Sequence, residues 1–267
     1  MRTETARIAG SPRWLLGAAL LVIAACAPQR LPAAEEAAAK PGADWDTWHA
    51  DTNVSDLASV QRGARNFVSY CLGCHSLKYE RWSRLGADLK IPPDLLARDL
   101  MPPGAKSTDY ITSAMPPADG EAWFGKTPPD LTLMARSRGT PYLYQLFKTF
   151  YVDPTRPTGV NNLRLPNVAM PHVLSELEGL KRAVFRDEIT PAGVHAQVFD
   201  HFEPIAPGRM SAAEYDQFVR DTVNFLDYVS DPSQTARRSL GVWVVLFLLL
   251  FTWLAWLVKR EYWKDVH

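Results

Sequence analysis

The stretch "FVSYCLGCHSLKYERW", residues 67–82, places two thiols and an imidazole within five residues, at Cys71, Cys74 and His75. The chain contains only one further cysteine. A Cys-x-x-Cys pair serves as a redox dithiol, as half of a zinc site or, when histidine follows directly, as an attachment site for haem. In the third use the thiols add to the haem vinyl groups and the histidine binds the iron.

Two of these three uses fit the surrounding sequence poorly. A zinc site needs about four ligands, commonly from two such pairs, and the sequence has no second Cys-x-x-Cys pair or Cys/His cluster. A thioredoxin-like dithiol follows a strand and opens a helix, whereas the residues before Cys71 have a helical pattern. We therefore predict one covalent haem c, held through Cys71 and Cys74, with His75 as an iron ligand.

The N-terminus bears on this prediction, because bacteria attach haem covalently outside the cytoplasm. Three arginines, at positions 2, 7 and 13, precede the twelve-residue apolar run "WLLGAALLVIAA", which is too short to span a bilayer. This pattern is typical of a secretory signal peptide, which we place at residues 1–27. Cleavage after Ala27 is one possibility. The alternative is that "IAAC" is a lipoprotein signal and that Cys26 becomes a lipidated N-terminus.

A second apolar run, "LGVWVVLFLLLFTWLAWLV", lies near the C-terminus at residues 240–258. Its nineteen residues would give a helix about 28 Å long, close to the ~30 Å hydrocarbon core of a bilayer. Aromatic residues cluster at its C-terminal side, as at membrane interfaces. We predict a transmembrane anchor at residues 239–258. Because the signal peptide exports the body, residues 259–267 should form a cytoplasmic tail.

Between these two segments lies an exported body long enough for one sizeable domain. Its boundaries are predicted as a flexible Ala- and Pro-rich leader at residues 28–46 and a periplasmic haem domain at residues 47–236. Lys and Arg total 29, as do Asp and Glu, so the charge balance indicates no nucleic-acid partner. If Cys71 and Cys74 hold haem, no pair remains for an internal disulfide.

Two amphipathic helices are predicted to frame this domain. Residues 55–71 carry apolar side chains at helical spacing, with Ser55 and Asp56 as candidate N-caps. Gly63, inside that helix, costs about 1 kcal/mol relative to Ala and makes sense if another helix crosses closely. Residues 211–229 form the candidate partner, opening with a Ser-x-x-Glu capping box and ending at Asp231-Pro232.

The segment between the helices is rich in proline. Residues 91–171 contain thirteen prolines, including four Pro-Pro pairs, which excludes mostly sheet or long helix. Two short helices are predicted, at residues 131–138 and 142–151, separated by Gly-Thr-Pro. Such long loops need something to wrap around, and a buried haem would supply a large apolar surface.

The combination of these motifs resembles the cytochrome c1 family. The resemblance rests on "QRGARNFVSYCLGCHSLKYERWSRL", "PPDLTLMARSRG", "DPTRPTG" and "NVAMPHVL", followed by a single C-terminal anchor helix. It extends from about residue 45 to the end of the chain. Every c-type cytochrome shares the Cys-x-x-Cys-His motif alone, and the combination is far more specific.

This resemblance implies a mainly α fold, with a class I cytochrome c-like haem domain, long proline-rich loops and one transmembrane helix. It implies a subunit of a respiratory ubiquinol–cytochrome c reductase that accepts an electron from the Rieske iron–sulfur protein and passes it to a soluble or membrane-bound cytochrome c. The implied partners include cytochrome b, in a dimeric complex of the bacterial inner membrane. No substrate chemistry is expected in this chain itself, because no nucleophile constellation or phosphate loop is present.

The resemblance also places the sixth iron ligand at Met170. The residue lies in the irregular stretch "RLPNVAMPHVL", where Pro171 would stiffen the chain. A thioether opposite histidine raises the haem potential, as electron acceptance from a Rieske centre requires. Met134, within a short helical pattern, is expected in the core, and His172 is the main competing ligand.

Further site residues follow from the same resemblance. The family places an arginine of the "MARSRG" stretch near a haem propionate, and Arg138 matches that position better than Arg136. A guanidinium can bind a carboxylate through two hydrogen bonds. Tyr142 is expected to line the haem pocket, and Pro129 to shape its wall. Asp130 is expected to cap the helix that follows.

Two alternative functions stay open from the sequence alone. One is another membrane-anchored monohaem cytochrome that donates electrons to a different enzyme. The other is a haem-based sensor, which would need an open or exchangeable sixth position on the iron.

Overall fold

The computed structural model describes residues 42–189 and 195–265. The predicted signal peptide, with Cys26, and the leader as far as residue 41 lie outside the described residues. The packed structure starts inside the predicted leader, because Trp45–Thr47 forms a 3-10 turn and the side chain of Gln145 donates a 2.8 Å hydrogen bond to the Asp46 carbonyl. The domain therefore begins before residue 47, where the sequence placed its start.

Helices dominate the described part of the chain, and three short antiparallel strand pairs accompany them. The helices are α1 (Leu57–Tyr70), α2 (Trp82–Asp88), α3 (Pro93–Leu95, continued by a π turn at Leu96–Leu100), α4 (Pro117–Phe124), α5 (Met134–Arg138), α6 (Thr140–Lys148), α7 (Ser175–Glu178), α8 (Ala212–Ser230) and α9 (Gln234–Tyr262). The strands are β1 (Leu77–Arg81), β2 (Tyr110–Ile111), β3 (Phe150–Val152), β4 (Val160–Asn162), β5 (Gly179–Ile189) and β6 (His195–Pro207), paired β1 with β2, β3 with β4 and β5 with β6.

Helices α1 and α8 cross at very close range, as the glycine in α1 predicted. A Cβ atom on Gly63 would lie 2.0 Å from the Asp221 carbonyl oxygen and 2.5 Å from the Cβ atom of Phe225. Beside this contact the rings of Phe67 and Phe225 pack with centroids 5.7 Å apart. Only a residue without a side chain allows this approach, so the glycine fixes the crossing.

Polar groups lock the same crossing. Asp221 is buried and accepts two hydrogen bonds from the Arg62 guanidinium, at 2.6 and 2.8 Å, and one from the Ser59 hydroxyl at 2.7 Å. Both helix starts are capped as predicted. Asp56 accepts from the backbone of Ser59, and a full capping box opens α8. The crossing helices therefore form a rigid frame with a specified register.

The proline-rich segment differs in detail from the expectation. The first short helix starts at Met134, three residues later than predicted, and the second starts at Thr140 because Pro141 is accommodated in its first turn. The second ends at Lys148, and strand β3 replaces its predicted last turn. A single residue, Gly139 with φ 89°, separates the two helices.

A long hairpin of β5 and β6 is the main element that the helical expectation missed. The strands pair from Gly179–Pro207 to Ile189–His195, with register irregularities after Leu180 and after Val184. Its base packs against β3, and a cluster of Phe185, Phe199 and Phe202 runs along it. The stretch "AVFRDEI" places three apolar residues before three charged ones, so it lacks the strict alternation by which a half-buried strand is predicted from sequence.

Helix α9 is 29 residues long and apolar enough to cross a membrane. Its side chains are exposed throughout, and its apolar surface has no covering from the rest of the described chain. It extends the predicted 239–258 span at both ends by polar and charged turns. Exposed apolar surface on this scale is stable in lipid and not in water, which is consistent with a membrane anchor.

Candidate functional site

A deep cleft with almost wholly apolar walls lies beside the α1–α8 frame. It collects residues from the Cys-x-x-Cys-His motif, from the Pro128-Pro129 loop, from α5 and α6, and from the loop before α7. Its lining consists of Tyr70, Cys71, Cys74, His75, Phe124, Lys126, Thr127, Pro128, Pro129, Leu131, Met134, Tyr142, Leu143, Leu146, Phe147, Leu165, Val168, Ala169, Met170, Pro171 and Val173.

The two thiols enter the cleft from a turn that ends α1. Cys71 is the C-cap of the helix, and its carbonyl accepts from the backbone N–H groups of Cys74 at 3.0 Å and His75 at 2.8 Å. Both thiols are free. Burial, and to a smaller extent the nearby Cys74, raises the pKa of Cys71 to about 12. The backbone thus presents two unpaired thiols and an imidazole to one apolar space.

The imidazole of His75 is oriented by the opposite loop. Its Nδ1 lies 2.7 Å from the Pro129 carbonyl oxygen, an acceptor only, so Nδ1 carries the proton and Nε2 keeps a free lone pair. Burial lowers the pKa of His75, which favours the neutral imidazole that a metal requires. Hydrogen bonding of the distal ring nitrogen is the usual way to orient a histidine ligand.

Asp130 supports that loop in a different way from the predicted cap. Helix α5 starts at Met134 with Leu133 as its N-cap, so Asp130 is too early to cap it. Its carboxylate instead accepts from the backbone N–H of Lys78 at 2.9 Å and of Thr132 at 3.0 Å. The carboxylate therefore ties the Pro129 loop to β1, directly after the Cys-x-x-Cys-His motif.

Two thioethers line the cleft. Met170 lies on the irregular loop before α7 and packs against a small second core of Phe150, Val160 and Val168. Met134, expected in the core, also contributes to the lining from α5. Met134 packs against the main core, as expected, and is at the same time a second sulfur in the cleft. The ligand role of Met170 stays a prediction.

The competing ligand His172 is engaged away from the cleft lining. Its ring stacks on Phe150 with centroids 4.8 Å apart and planes 2° from parallel. Its Nε2 lies 2.9 Å from a carboxylate oxygen of Glu178, and its side chain is 5% exposed. These contacts hold the imidazole in a separate structural role.

Both predicted arginines are exposed, and neither is among the residues that line the cleft. The Arg138 guanidinium carbon lies 5.7 Å from the ring centroid of Tyr142, which does line the cleft, whereas the charge of Arg136 acts on Asp231. The structure adds Arg164, whose guanidinium carbon lies 4.9 Å from the same ring. Of the two predicted arginines, only Arg138 therefore contacts a residue of the cleft.

Other lining residues were not foreseen from the sequence. They are Phe124 and Lys126 at the end of α4, and Leu165 and Val173 on either side of Met170. Phe124 is the last residue of α4, and the other three lie on turns and loops. Apolar residues at such positions have no periodicity that would show which way they face. Proximity to Met170 in the sequence was the one clue to Leu165 and Val173.

Comparison with known proteins identifies the family. The model of the Cytochrome C1 family matches residues 98–266, more than half of the chain. The chain belongs to the cytochrome c1 family. It is 46% identical to the cytochrome c1 of Allochromatium vinosum over 82% of this chain and 88% of that protein, and 28% identical to that of Rhodospirillum rubrum over 84% and 87%. It is also 40% identical to a Nitrosomonas europaea protein named ammonia monooxygenase gamma subunit, over 80% and 86%.

Cytochrome c1 proteins carry one covalently bound haem c and function in electron transport. The residues of this cleft fit that group. Paired free thiols, an imidazole with an open Nε2, apolar walls and a thioether are the features that a His/Met haem c requires. Among residues 42–189 and 195–265, no group of three or more His, Cys, Asp and Glu side chains could hold a metal ion, so the zinc alternative finds no support there.

Proposed function

We propose that this cytochrome c1 is the haem subunit of a ubiquinol–cytochrome c reductase, accepting an electron from the Rieske iron–sulfur protein and passing it to a soluble or membrane-bound cytochrome c. The observation that carries the proposal is the hydrogen bond from His75 Nδ1 to Pro129, which leaves the lone pair of Nε2 available on a ring that lines the same apolar cleft as Met170. Family membership and the apolar C-terminal helix support it.

Covalent haem c would supply reversible one-electron chemistry at this site. The proposed attachment residues are Cys71 and Cys74, and the proposed iron ligands are His75 and Met170. The chain's part is to hold these four groups in place, to exclude water and to set the potential. A neutral imidazole and a thioether as ligands would favour the reduced state, and the apolar walls would add to this because they disfavour net charge.

Four further residues are proposed to contact haem. Pro129 holds His75, and Tyr142 covers part of the cleft wall. Arg138 is proposed to meet a propionate, because its guanidinium flanks Tyr142 at the rim and a buried carboxylate needs a cation. The charge of Arg136 acts on Asp231, and its guanidinium is not the one beside Tyr142, which makes it the weaker of the two arginine candidates.

The surroundings of the domain are proposed from its ends and its relatives. The signal peptide would place a class I haem domain in the periplasm, and α9 would anchor it in the inner membrane with residues 259–267 in the cytoplasm. A Bradyrhizobium diazoefficiens relative named cytochrome b/c1 is 26% identical to this chain, which covers 36% of its length. We extend that association to this chain and propose cytochrome b as a partner, in a dimeric complex.

Co-purification and electron transfer test the proposal together. Affinity purification of the full chain from native membranes should retain cytochrome b and the Rieske protein. The haem should be reduced by quinol, through the complex, and reoxidised by added cytochrome c. If the haem is reduced by quinol but a different membrane enzyme co-purifies, the chain is another anchored electron carrier. A haem that binds carbon monoxide readily in the wild-type protein would favour a sensor.

A further inference from the structure

The segment that follows Met170 is held by a side chain that the electron-transfer role does not itself require. Two residues beyond Met170, His172 is almost fully buried and stacks flat on Phe150 of β3. Its Nε2 lies 2.9 Å from Glu178, the last residue of α7. One ring therefore makes an apolar contact on its face and a polar contact at its edge.

Glu178 extends this contact into the rest of the domain. Its second carboxylate oxygen pairs with the ammonium of Lys181, at the start of β5. Lys181 also donates a 2.7 Å hydrogen bond to the Lys148 carbonyl at the end of α6. The carboxylate thus has a partner on each oxygen, and the charged groups satisfy one another at a largely buried position. This series of contacts connects the loop after Met170 to β3, α7, β5 and α6.

The main chain around Met170 has little regular structure of its own. The segment from Leu163 to Leu174 contains only turns and bends. Pro171 has no N–H to donate. Irregular segments of this kind open at low free energy unless side chains hold them. A thioether is a weak ligand to iron, so its occupancy of the sixth position depends on how firmly its loop is held.

We propose that His172 is a positioning residue that holds Met170 at the haem iron, through its stack on Phe150 and its hydrogen bond to Glu178. This inference rests on the proposed ligation by Met170. The sequence alone makes the His172 imidazole a rival ligand. The inference gives this imidazole a different role, which is to support Met170. The Phe150 stack fixes the plane of the ring, and Glu178 fixes its rotation within that plane.

Three variants of the full-length, haem-loaded protein separate the two contacts. His172→Phe retains the stack and removes the hydrogen bond, His172→Gln does the reverse, and Glu178→Gln weakens the polar contact without touching the ring. His49→Gln is the matched control, because His49 is an exposed histidine of the same domain. Each protein is assayed for the sulfur-to-iron charge-transfer band on heating, for reduction potential, and for carbon monoxide binding in the reduced form.

We expect all variants to keep covalent haem. The His172 variants should lose the charge-transfer band at lower temperature than wild type and bind carbon monoxide at least tenfold faster, with Glu178→Gln intermediate and the control unchanged. Carbon monoxide binding and the reduction potential report on the ligands of the iron, so they distinguish a loosened ligand from a loss of folding stability alone. If one His172 variant fails to accumulate, the other and Glu178→Gln still test the idea.

Two results would overturn the inference, and they differ in what they say about the proposed function. If Met170→Leu loses the band while every His172 and Glu178 variant behaves as wild type, the ligand assignment holds and the positioning role is wrong. If wild type has no sulfur-to-iron band, and Met170→Leu leaves its potential and carbon monoxide binding unchanged while both His172 variants change them, His172 is itself the ligand, and both the positioning role and the proposed ligand set are wrong.

Discussion

The two walls of the haem cleft are built in different ways. The wall that carries Cys71, Cys74 and His75 continues directly from α1, and backbone hydrogen bonds and the Pro129 carbonyl define its turn. The wall that carries Met170 is an irregular loop, and its contacts with the domain come from side chains such as Val168 and His172. The first wall is fixed by secondary structure and the second by packing.

This difference suggests how the site divides its tasks. In the proposed site, a covalently held cofactor and a strong imidazole ligand need a wall that does not move. The wall with Met170 would control a weak bond, and small changes in its packing would tune the potential without releasing the haem. Substitutions on the cysteine side should therefore have all-or-none effects on haem retention. Substitutions on the methionine side should have graded effects on the reduction potential.

The largest effect should come from removing both attachment thiols. The double variant Cys71→Ser, Cys74→Ser should lose all covalently bound haem, because these two sulfurs are the proposed sites of the thioether bonds. Haem peroxidase activity on a denaturing gel measures this directly. Tyr79→Phe, an exposed side chain near the motif, is the control and should retain full staining. Staining that survives in the double variant would rule out attachment at this motif.

Loss of the sulfur on the opposite wall should leave haem in place but change its electronics. In Met170→Leu we expect the oxidised protein to lose the sulfur-to-iron charge-transfer band and the potential to fall by about 100 mV or more, within the ~0.8 V that axial ligands span. Met134→Leu removes the second sulfur of the cleft and should retain the band. The opposite pattern between these two variants would transfer the ligand role to Met134.

The helical frame behind the first wall can be disturbed without touching the cleft. In Gly63→Ala the added methyl group would overlap the Asp221 carbonyl, so we expect α1 and α8 to separate and the free energy of unfolding to fall by about 3 kcal/mol. Thermal denaturation of the detergent-solubilised holoprotein measures the change. Gly241→Ala, where no atom lies within 4 Å of the new methyl group, should have little effect. If Gly63→Ala and Gly241→Ala are equally stable, helices α1 and α8 can shift at their crossing to accommodate the added methyl group, and our expectation is wrong.

A buried carboxyl gives the same frame a pH dependence. Glu80 is 2% exposed on β1, and burial raises its pKa from 4.5 to about 7, with Arg84 opposing the shift and Asp88 adding to it. The folded state therefore holds a proton that the unfolded state releases, and stability is lost as pH rises from about 4.5 to 7. The loss is at most about 3 kcal/mol. Glu80→Gln should flatten the dependence of the unfolding midpoint on pH across this range.

The control for that measurement is Glu176→Gln, an exposed carboxylate that pairs with Arg209. It should leave the slope between pH 4.5 and 7 unchanged, since exposed ion pairs contribute little. Equal slopes in wild type and Glu80→Gln would show that Glu80 ionises freely in the folded protein. The lowered pKa of His75 acts in the opposite direction in both proteins and cancels from this comparison.

The smallest effect concerns the two arginines at the rim. Removing a positive charge beside the haem disfavours the reduced state, so Arg138→Gln and Arg164→Gln should each lower the potential by about 30 mV. This is half of the ~59 mV that a tenfold change in the equilibrium constant represents for a one-electron couple. Arg136→Gln, on the same helix as Arg138 but with its charge acting on Asp231, should change it less. A larger shift for Arg136 than for Arg138 would reverse our order of the two.

Sequence reasoning reached the parts of the molecule that local patterns encode. The turn at Cys71–His75, the glycine at the helix crossing and the cap at Ser211 each follow from residues a few positions apart. The hairpin of β5 and β6 was not predicted, because its pairing depends on residues as far apart in the sequence as Gly179 and Pro207. The stack of His172 on Phe150 escaped for the same reason, since contacts between irregular segments have no sequence period.

The short connection between the domain and its anchor limits where the haem can travel. Helix α8 ends at Ser230, α9 begins at Gln234, and Arg237 closes back onto Asp231 with a 3.0 Å hydrogen bond. Three linking residues extend about 10 Å at most. A redox centre in a domain tethered this closely to a membrane anchor would keep a high and constant local concentration for other groups in the same membrane. Any long-distance transport of electrons must therefore be done by molecules that come to it and leave.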